Sequence, residues 1–308
     1  MTAPKKRIVI AGGSGFIGSA LAAEWLARNG EVVVLTRSPR ARADGVIEAE
    51  WDGTHLGEWI KYLDGAEALV NLAGKNIKCR HTPENVRELT ESRVNAVRTI
   101  AVAMDHVTRP PRVWVQAGAI GFYGDSGDAI CDENSVNGKD TLADVCRQWE
   151  NAFHAAYVPK TRKVLLRIGF VLGPDDGALP VLARMTRWFL GGSAGDGRQF
   201  ISWIHLADLT RMFCESILRQ DWAGTFNAVG PKPVTNEEFM QELRRALHRP
   251  WSPPAPAFVV KLGSWLMGME PSLALEGCRV MPKRMSEASF QFQFPGLDAA
   301  FKDIFKGG

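Results

Sequence analysis

Two rhythms of apolar and polar positions alternate along the first part of the chain. Short apolar runs at 8–11, 31–36, 68–72 and 113–116 have the length and β-branched content of strands buried on both faces, and Val46–Glu50 fits a further strand between them. Helical spacing separates them. Leu21, Trp25 and Leu26 mark one stripe over 16–26; Val86, Leu89, Val94, Val97, Ile100, Ala101 and Met104 mark a longer one over 84–106. Strands alternating with helices predict an α/β, doubly wound parallel sheet, a Rossmann fold with its site at the carboxyl ends of the strands. Beyond it the pattern predicts a helix over 141–150, a strand at Val164–Phe170, a helix at Met185–Leu190 and a returning strand at Gly224–Val229. Thr235 to Glu238 reads as a capping box opening a helix that runs to Leu247. Prolines between 250 and 256 then set off a tail whose stripe of Phe258, Leu262, Trp265 and Leu266 is expected to be core or cover. The division is 1–250, with a substrate-side insertion near 175–202, and a small C-terminal region over 251–308.

The first strand breaks into Gly12-Gly-Ser-Gly-Phe-Ile-Gly18 and leads into a helix. Gly12 allows the tight turn, Gly15 lets the backbone approach a pyrophosphate, and Gly18 lets helix and strand pack closely. Ser14, Phe16 and Ile17 fall where the helix N-terminus offers free N–H groups to an anion. The second strand ends in Thr36-Arg37-Ser38, where an NAD-preferring protein usually presents an acid to the ribose; Arg37 suits the 2′-phosphate of NADP, the alternative being a solvated arginine. Leu72, Ala73 and Gly74 are small enough on average for the backbone to lie against a cofactor.

Composition narrows the class. With 308 residues and 45% hydrophobic content, the chain buries a large core without staples. Lys plus Arg is 37 against 34 for Asp plus Glu, too even a balance to point to nucleic acid or membrane. The basic start precedes an apolar run too short for a signal-peptide core, and no stretch approaches the length of a transmembrane helix. Cys79, Cys131, Cys146, Cys214 and Cys278 are odd in number and scattered, with no histidine at ligand spacing. They read as free thiols in a reducing cytoplasm, with no metal site.

Gly-Gly-Ser-Gly-Phe-Ile-Gly, Asn71-Leu72-Ala73-Gly74, Arg93-Val94-Asn95 with Thr99, Phe122-Tyr123-Gly124, Leu166-Arg167 with Gly173-Pro174, and Trp203-Ile204-His205-Leu206-Ala207-Asp208 follow the order seen in extended short-chain dehydrogenases/reductases. The chain resembles their nucleotide-sugar epimerase type. Ser202 to His205, Pro233 to Phe239 and Val280 to Arg284 are most similar to a branch called epimerase family protein, and the tail from about Pro253 resembles that branch's C-terminal domain of unknown function. The resemblance implies NADP as cofactor, touching Thr36, Arg37, Leu72, Ala73 and the helix that bears Glu88 and Arg93. It also implies an unidentified small-molecule substrate, which Arg198 in the glycine-rich loop 191–199 would meet through a phosphate, a plain surface loop being the alternative. A homodimer through helices 84–106 and 140–157 is a further implication.

Active members of that superfamily use a tyrosine with a lysine four residues later, one helical turn apart, so that the ammonium lowers the phenol's pKa. Alignment on Glu150 puts Leu142 and Cys146 at those positions, and no serine or threonine occurs between Ala117 and Phe122. The dyad is absent. Tyr123 is the remaining phenol, with a packed aromatic as the competing role; Lys75 and His205 are candidate substrate-side groups, against a solvated lysine and a helix-start histidine. Two functions follow: an NADP(H)-dependent oxidoreductase or epimerase-like enzyme, or a binding protein that senses NADP(H) without turnover.

Overall fold

The structure is a computed structural model described over residues 5–306; the first four residues of the basic start lie outside it. In chain order it runs β1 (Arg7–Ala11), α1 (Phe16–Ala27), β2 (Glu31–Thr36), β3 (Ile47–Glu50), β4 (Ala68–Asn71), α2 (Pro83–Asp105), β5 (Val113–Ala119), β6 (Ile130–Cys131) and α3 (Thr141–Ala155). It continues with β7 (Arg162–Ile168), β8 (Phe170–Leu172), α4 (Leu179–Arg187), β9 (Phe200–Ile201), β10 (Trp203–His205), α5 (Leu206–Leu218), β11 (Gly224–Ala228), β12 (Val234–Thr235) and α6 (Asn236–Ala246). The tail holds α7 (Ala257–Leu266), α8 (Ser272–Leu275), β13 (Arg279–Val280), α9 (Lys283–Glu287) and α10 (Leu297–Ile304).

Seven strands form one parallel sheet in the order β11-β7-β5-β4-β1-β2-β3. The chain leaves β1 in one direction and returns on its other side at β4, so the carboxyl ends of β1 and β4 flank the switch point where such sheets bind ligands. Period-two alternation divides the core: Ile8, Ile10, Val32 and Val34 face one layer, with Leu21 and Trp25 of α1 and Met212 and Phe213 of α5. Val9, Ala11, Val33 and Leu35 face the other, with Ala96, Val97 and Ile100 of α2 and Trp149 and Phe153 of α3.

Several expectations change. The strand expected over Val164–Phe170 begins at Arg162 and stops at Ile168; the chain restarts as β8 beside β10, and Gly169 at the break leaves no room for a Cβ, which would meet the Ser202 carbonyl. The helix expected at Met185–Leu190 is α4, which starts at Leu179 with a proline in its first turn and ends where Phe189 takes a φ of 61°. Residues past 250 share the cores of the sheet: Met285 and Phe290 enter the α1/α5 layer, and Leu297, Ala300 and Phe301 pack with Trp203 and Phe239. Lys283 pairs with Asp132 at 3.2 Å, and Arg284 donates to the Thr225 and Ala223 carbonyls at 2.6 and 2.9 Å while lying over Phe226. The stripe on α7 stands in solvent, because its buried residue is Ser264 on the opposite side. No described helix is long and apolar enough to cross a membrane.

Candidate functional site

The glycine turn follows from local sterics. Gly12 has a φ of 72°, and a Cβ on it would lie 3.0 Å from the Ala73 backbone, so the turn after β1 and the loop after β4 touch across the switch point. Gly15 differs: the nearest atom to an added Cβ is the Gly12 carbonyl at 3.7 Å, which leaves an open face for a ligand. Gly18 packs against the turn itself rather than against the strand: a Cβ on it would lie 2.5 Å from the Gly13 Cα. Gly13, which the spacing argument passed over, seals the turn from below; a Cβ there would meet Val34 at 2.8 Å and Ile10 at 3.0 Å.

Gly15 caps α1 without a side-chain hydrogen bond, and no acid stands in the first turn. The leading N–H groups and the positive end of the helix are therefore available to an anion. Ser14 and Gly15 are exposed; Phe16 and Ile17 are half-buried, with the Phe16 ring against Gly173 and Gly177 of the loop after β8. On the neighbouring parallel strand Thr36 ends β2, and Arg37 follows, exposed and with no ion pair among the described residues. An acceptor of phosphate charge at this place fits the residues present.

The second wall is the loop 72–82. Asn71 is fully buried; its amide donates to the Gln116 side chain at 3.0 Å and its carbonyl oxygen accepts from the Ala73 N–H at 3.0 Å, which shapes Leu72 and Ala73. Gly74 is small because a Cβ would lie 3.1 Å from Cγ of Arg93. Arg93 donates to the Leu89 carbonyl, lies 5.1 Å from the Trp149 ring centre and has no carboxylate partner among the described residues. Lys75 pairs with Glu88 and donates to Asn85 at 2.8 Å, which places both candidates on one ion pair and holds the Glu88 carboxyl below its ordinary pKa. Lys78 reaches across the cleft to the Gly177 carbonyl at 2.9 Å.

The dyad positions hold Leu142 and Cys146, and the candidate groups beside them already have partners within the fold. Burial pushes the Cys146 thiol up to about 12, so it carries no thiolate near neutrality. Tyr123 is buried, accepts from Arg167 at 2.8 Å and donates to Asn227 at 2.7 Å; burial raises its phenol to about 12 despite the arginine. This is the packed aromatic with a satisfied hydroxyl. His205 caps α5, its Nδ1 accepting from the Ala207 N–H at 3.1 Å while its ring stacks on Phe294 at 3.9 Å. Burial lowers its pKa, and Nε2 faces Asp303 at 3.5 Å. Arg198 is exposed, 3.9 Å from Asp128 on the loop leaving β5. The five cysteines are free, and no group able to hold a metal ion occurs among the described residues.

Residues 8–229 match the NAD dependent epimerase/dehydratase family, and residues 255–304 match a domain of unknown function, DUF1731. The chain is 36% identical over 303 residues to the chloroplastic epimerase family protein SDR39U1 homolog of Arabidopsis thaliana, covering 96% of this chain and 86% of that protein. It is 35% identical to epimerase family protein SDR39U1 of Homo sapiens, covering 97% and 99%. The crystal structure of human SDR39U1 (isoform 2) with NADPH superposes with a TM-score of 0.88 at 33% identity, covering 98% of this chain and 100% of that one. By fold, glycine turn and sequence alike, the chain belongs to the NAD dependent epimerase/dehydratase family.

Proposed function

We propose that this chain binds NADP(H) along the carboxyl edge of its sheet and acts as an oxidoreductase of the epimerase-like, extended short-chain type on a small-molecule substrate. One observation carries the reading: the uncapped, acid-free start of α1 and the unpaired Arg37 emerge from adjacent parallel strands at the same edge. Gly12, Ser14, Gly15, Phe16 and Ile17 would hold the pyrophosphate, Thr36 and Arg37 the 2′-phosphate, and Leu72 to Gly74 with Glu88 and Arg93 the remainder. The NADPH of the human relative supports the choice of cofactor. When bound, that cofactor supplies hydride chemistry at a carbon.

The chain's own contribution differs from that of epimerases with a tyrosine–lysine pair. Arg93 of α2, 5.1 Å from the ring centre of Trp149 on the helix that carries Cys146 and without a carboxylate partner among the described residues, is the proposed cation on this side of the site. Arg198 and Lys75 are the proposed substrate-side cations. A second reading, a sensor of NADP(H) without turnover, is favoured by the doubly hydrogen-bonded Tyr123. Absorbance of NADPH followed against a panel of aldehydes, ketones and nucleotide sugars separates them. Oxidation by any member establishes the enzyme; tight binding with none leaves the sensor. Free thiols fit a reducing compartment such as the cytoplasm. The α2–α3 face, where a dimer would form, exposes Arg87, Glu91, Arg98 and Arg147 beside Val102.

A further inference from the structure

Trp188-Phe189-Leu190 follow α4, and the chain returns beside this segment at residues 249–255. Gly195 donates to the Ala255 carbonyl at 2.9 Å, Ala255 donates to the Ser193 carbonyl at 2.8 Å, and the Arg249 guanidinium lies 5.3 Å from the Phe189 ring centre. α7 follows directly. Trp188, Trp251 and Trp265 are 74, 73 and 58% exposed, with Leu190, Phe258 and Leu262 also standing in water. A monomer rarely leaves so much aromatic and aliphatic surface in one region uncovered.

Charge decides what covers it. Residues 178–195 and 246–269 contain no aspartate or glutamate, while Arg184, Arg187 and Lys261 are exposed. The near-even overall balance hides this local asymmetry. An isologous contact between two copies would bring together two faces of the same sign, with no acid in either segment to offset them. Tryptophans among lysines and arginines instead suit the headgroup layer of an anionic bilayer, where the rings sit at the boundary and the cations meet phosphates. We infer that this face docks peripherally on an anionic lipid surface, with Trp188, Trp251 and Trp265 entering the headgroup region and Arg184, Arg187 and Lys261 facing the lipid phosphates. The face is tied to the dinucleotide cleft: Arg80, on the loop after β4, donates to the Trp265 carbonyl at 2.9 Å and lies over its ring, and the His81 N–H donates to Glu270 at 3.1 Å.

The test is co-sedimentation of the full chain with vesicles of equimolar phosphatidylcholine and phosphatidylglycerol, and with phosphatidylcholine alone. Binding to the mixed vesicles, weak binding to the neutral ones and release by salt are expected. Arg184→Gln with Arg187→Gln should lower partitioning by roughly 25-fold, at about fivefold per basic residue, and Trp188→Ser with Trp265→Ser should abolish it. These side chains are exposed, so unchanged circular dichroism melts will show that both variants fold. Failure to bind mixed vesicles, or binding that neither variant alters, overturns the inference. So does a dimer seen by light scattering that the tryptophan variant dissociates while the wild type ignores vesicles, since a second copy would then cover the face.

Discussion

The Arg167 guanidinium closes two hydrogen bonds on the Glu150 carboxylate, at 2.9 and 2.8 Å, with both side chains buried. Its third contact is the Tyr123 hydroxyl, which passes a proton donor on to Asn227, whose amide reaches the Met281 carbonyl in the tail. The helix that would carry an acid/base pair is thus locked to β7, β11 and the C-terminal segment. The hydroxyl held this way has both a donor and an acceptor partner within the fold.

Breaking that lock should cost stability more than binding. Glu150→Ala leaves a buried arginine without its partner, and the expected loss is about 3–5 kcal/mol in urea unfolding. Tyr123→Phe strands one arginine N–H and one amide oxygen, an expected loss of about 1–3 kcal/mol, with NADPH affinity unchanged. Loss of cofactor binding in a stably folded Tyr123→Phe variant would return Tyr123 to the site.

The glycines separate folding from binding. Gly18→Ala puts a Cβ 2.5 Å from the Gly13 Cα and should lower the melting temperature. Gly15→Ala meets nothing closer than 3.7 Å, so it should fold normally yet lose NADPH affinity, because the added methyl occupies the face left to the pyrophosphate. Thermal melts with and without NADPH read both effects; a Gly15→Ala protein stabilised by NADPH as strongly as the wild type would refute the assignment.

His205 predicts a pH dependence. Burial lowers its pKa in the folded chain, and Asp303 at 3.5 Å opposes this without overcoming it. The unfolded chain therefore takes up the proton first, near its ordinary value of about 6.5, so the stability tied to neutral His205 is complete above that pH and declines as pH falls toward the folded value. His205→Asn keeps an N-cap acceptor and removes the titration. Its melting temperature should fall less than the wild type's between neutrality and mild acid; parallel slopes would contradict this.

Much of this was legible in the residues. The strand–turn–helix at Gly12 to Gly18, the helix at Pro83–Asp105 and the capping box at Thr235 are local patterns, and the structure reproduces all three. What escaped depends on residues far apart in the chain. Gly13 is fixed by Val34, Gly169 by Ser202, and the tail's arginine Arg284 by backbone carbonyls of β11 and the residue before it. The stripe on α7 gave the right helix and the wrong environment, since periodicity marks an apolar face without saying what it faces. Tyr123 and Lys75 were readable as candidates; only their partners, Arg167 and Asn227 in one case and Glu88 in the other, show how each is occupied.

Affinity for NADPH and for NADH, titrated by fluorescence on the wild type and on Arg37→Asp, tests the central claim most directly. The wild type should prefer NADPH by about 10- to 150-fold, the range of a charge-assisted contact of about 1.5–3 kcal/mol, and Arg37→Asp should lose that preference while retaining NADH. Equal wild-type affinities, or a preference that survives Arg37→Asp, would contradict the account.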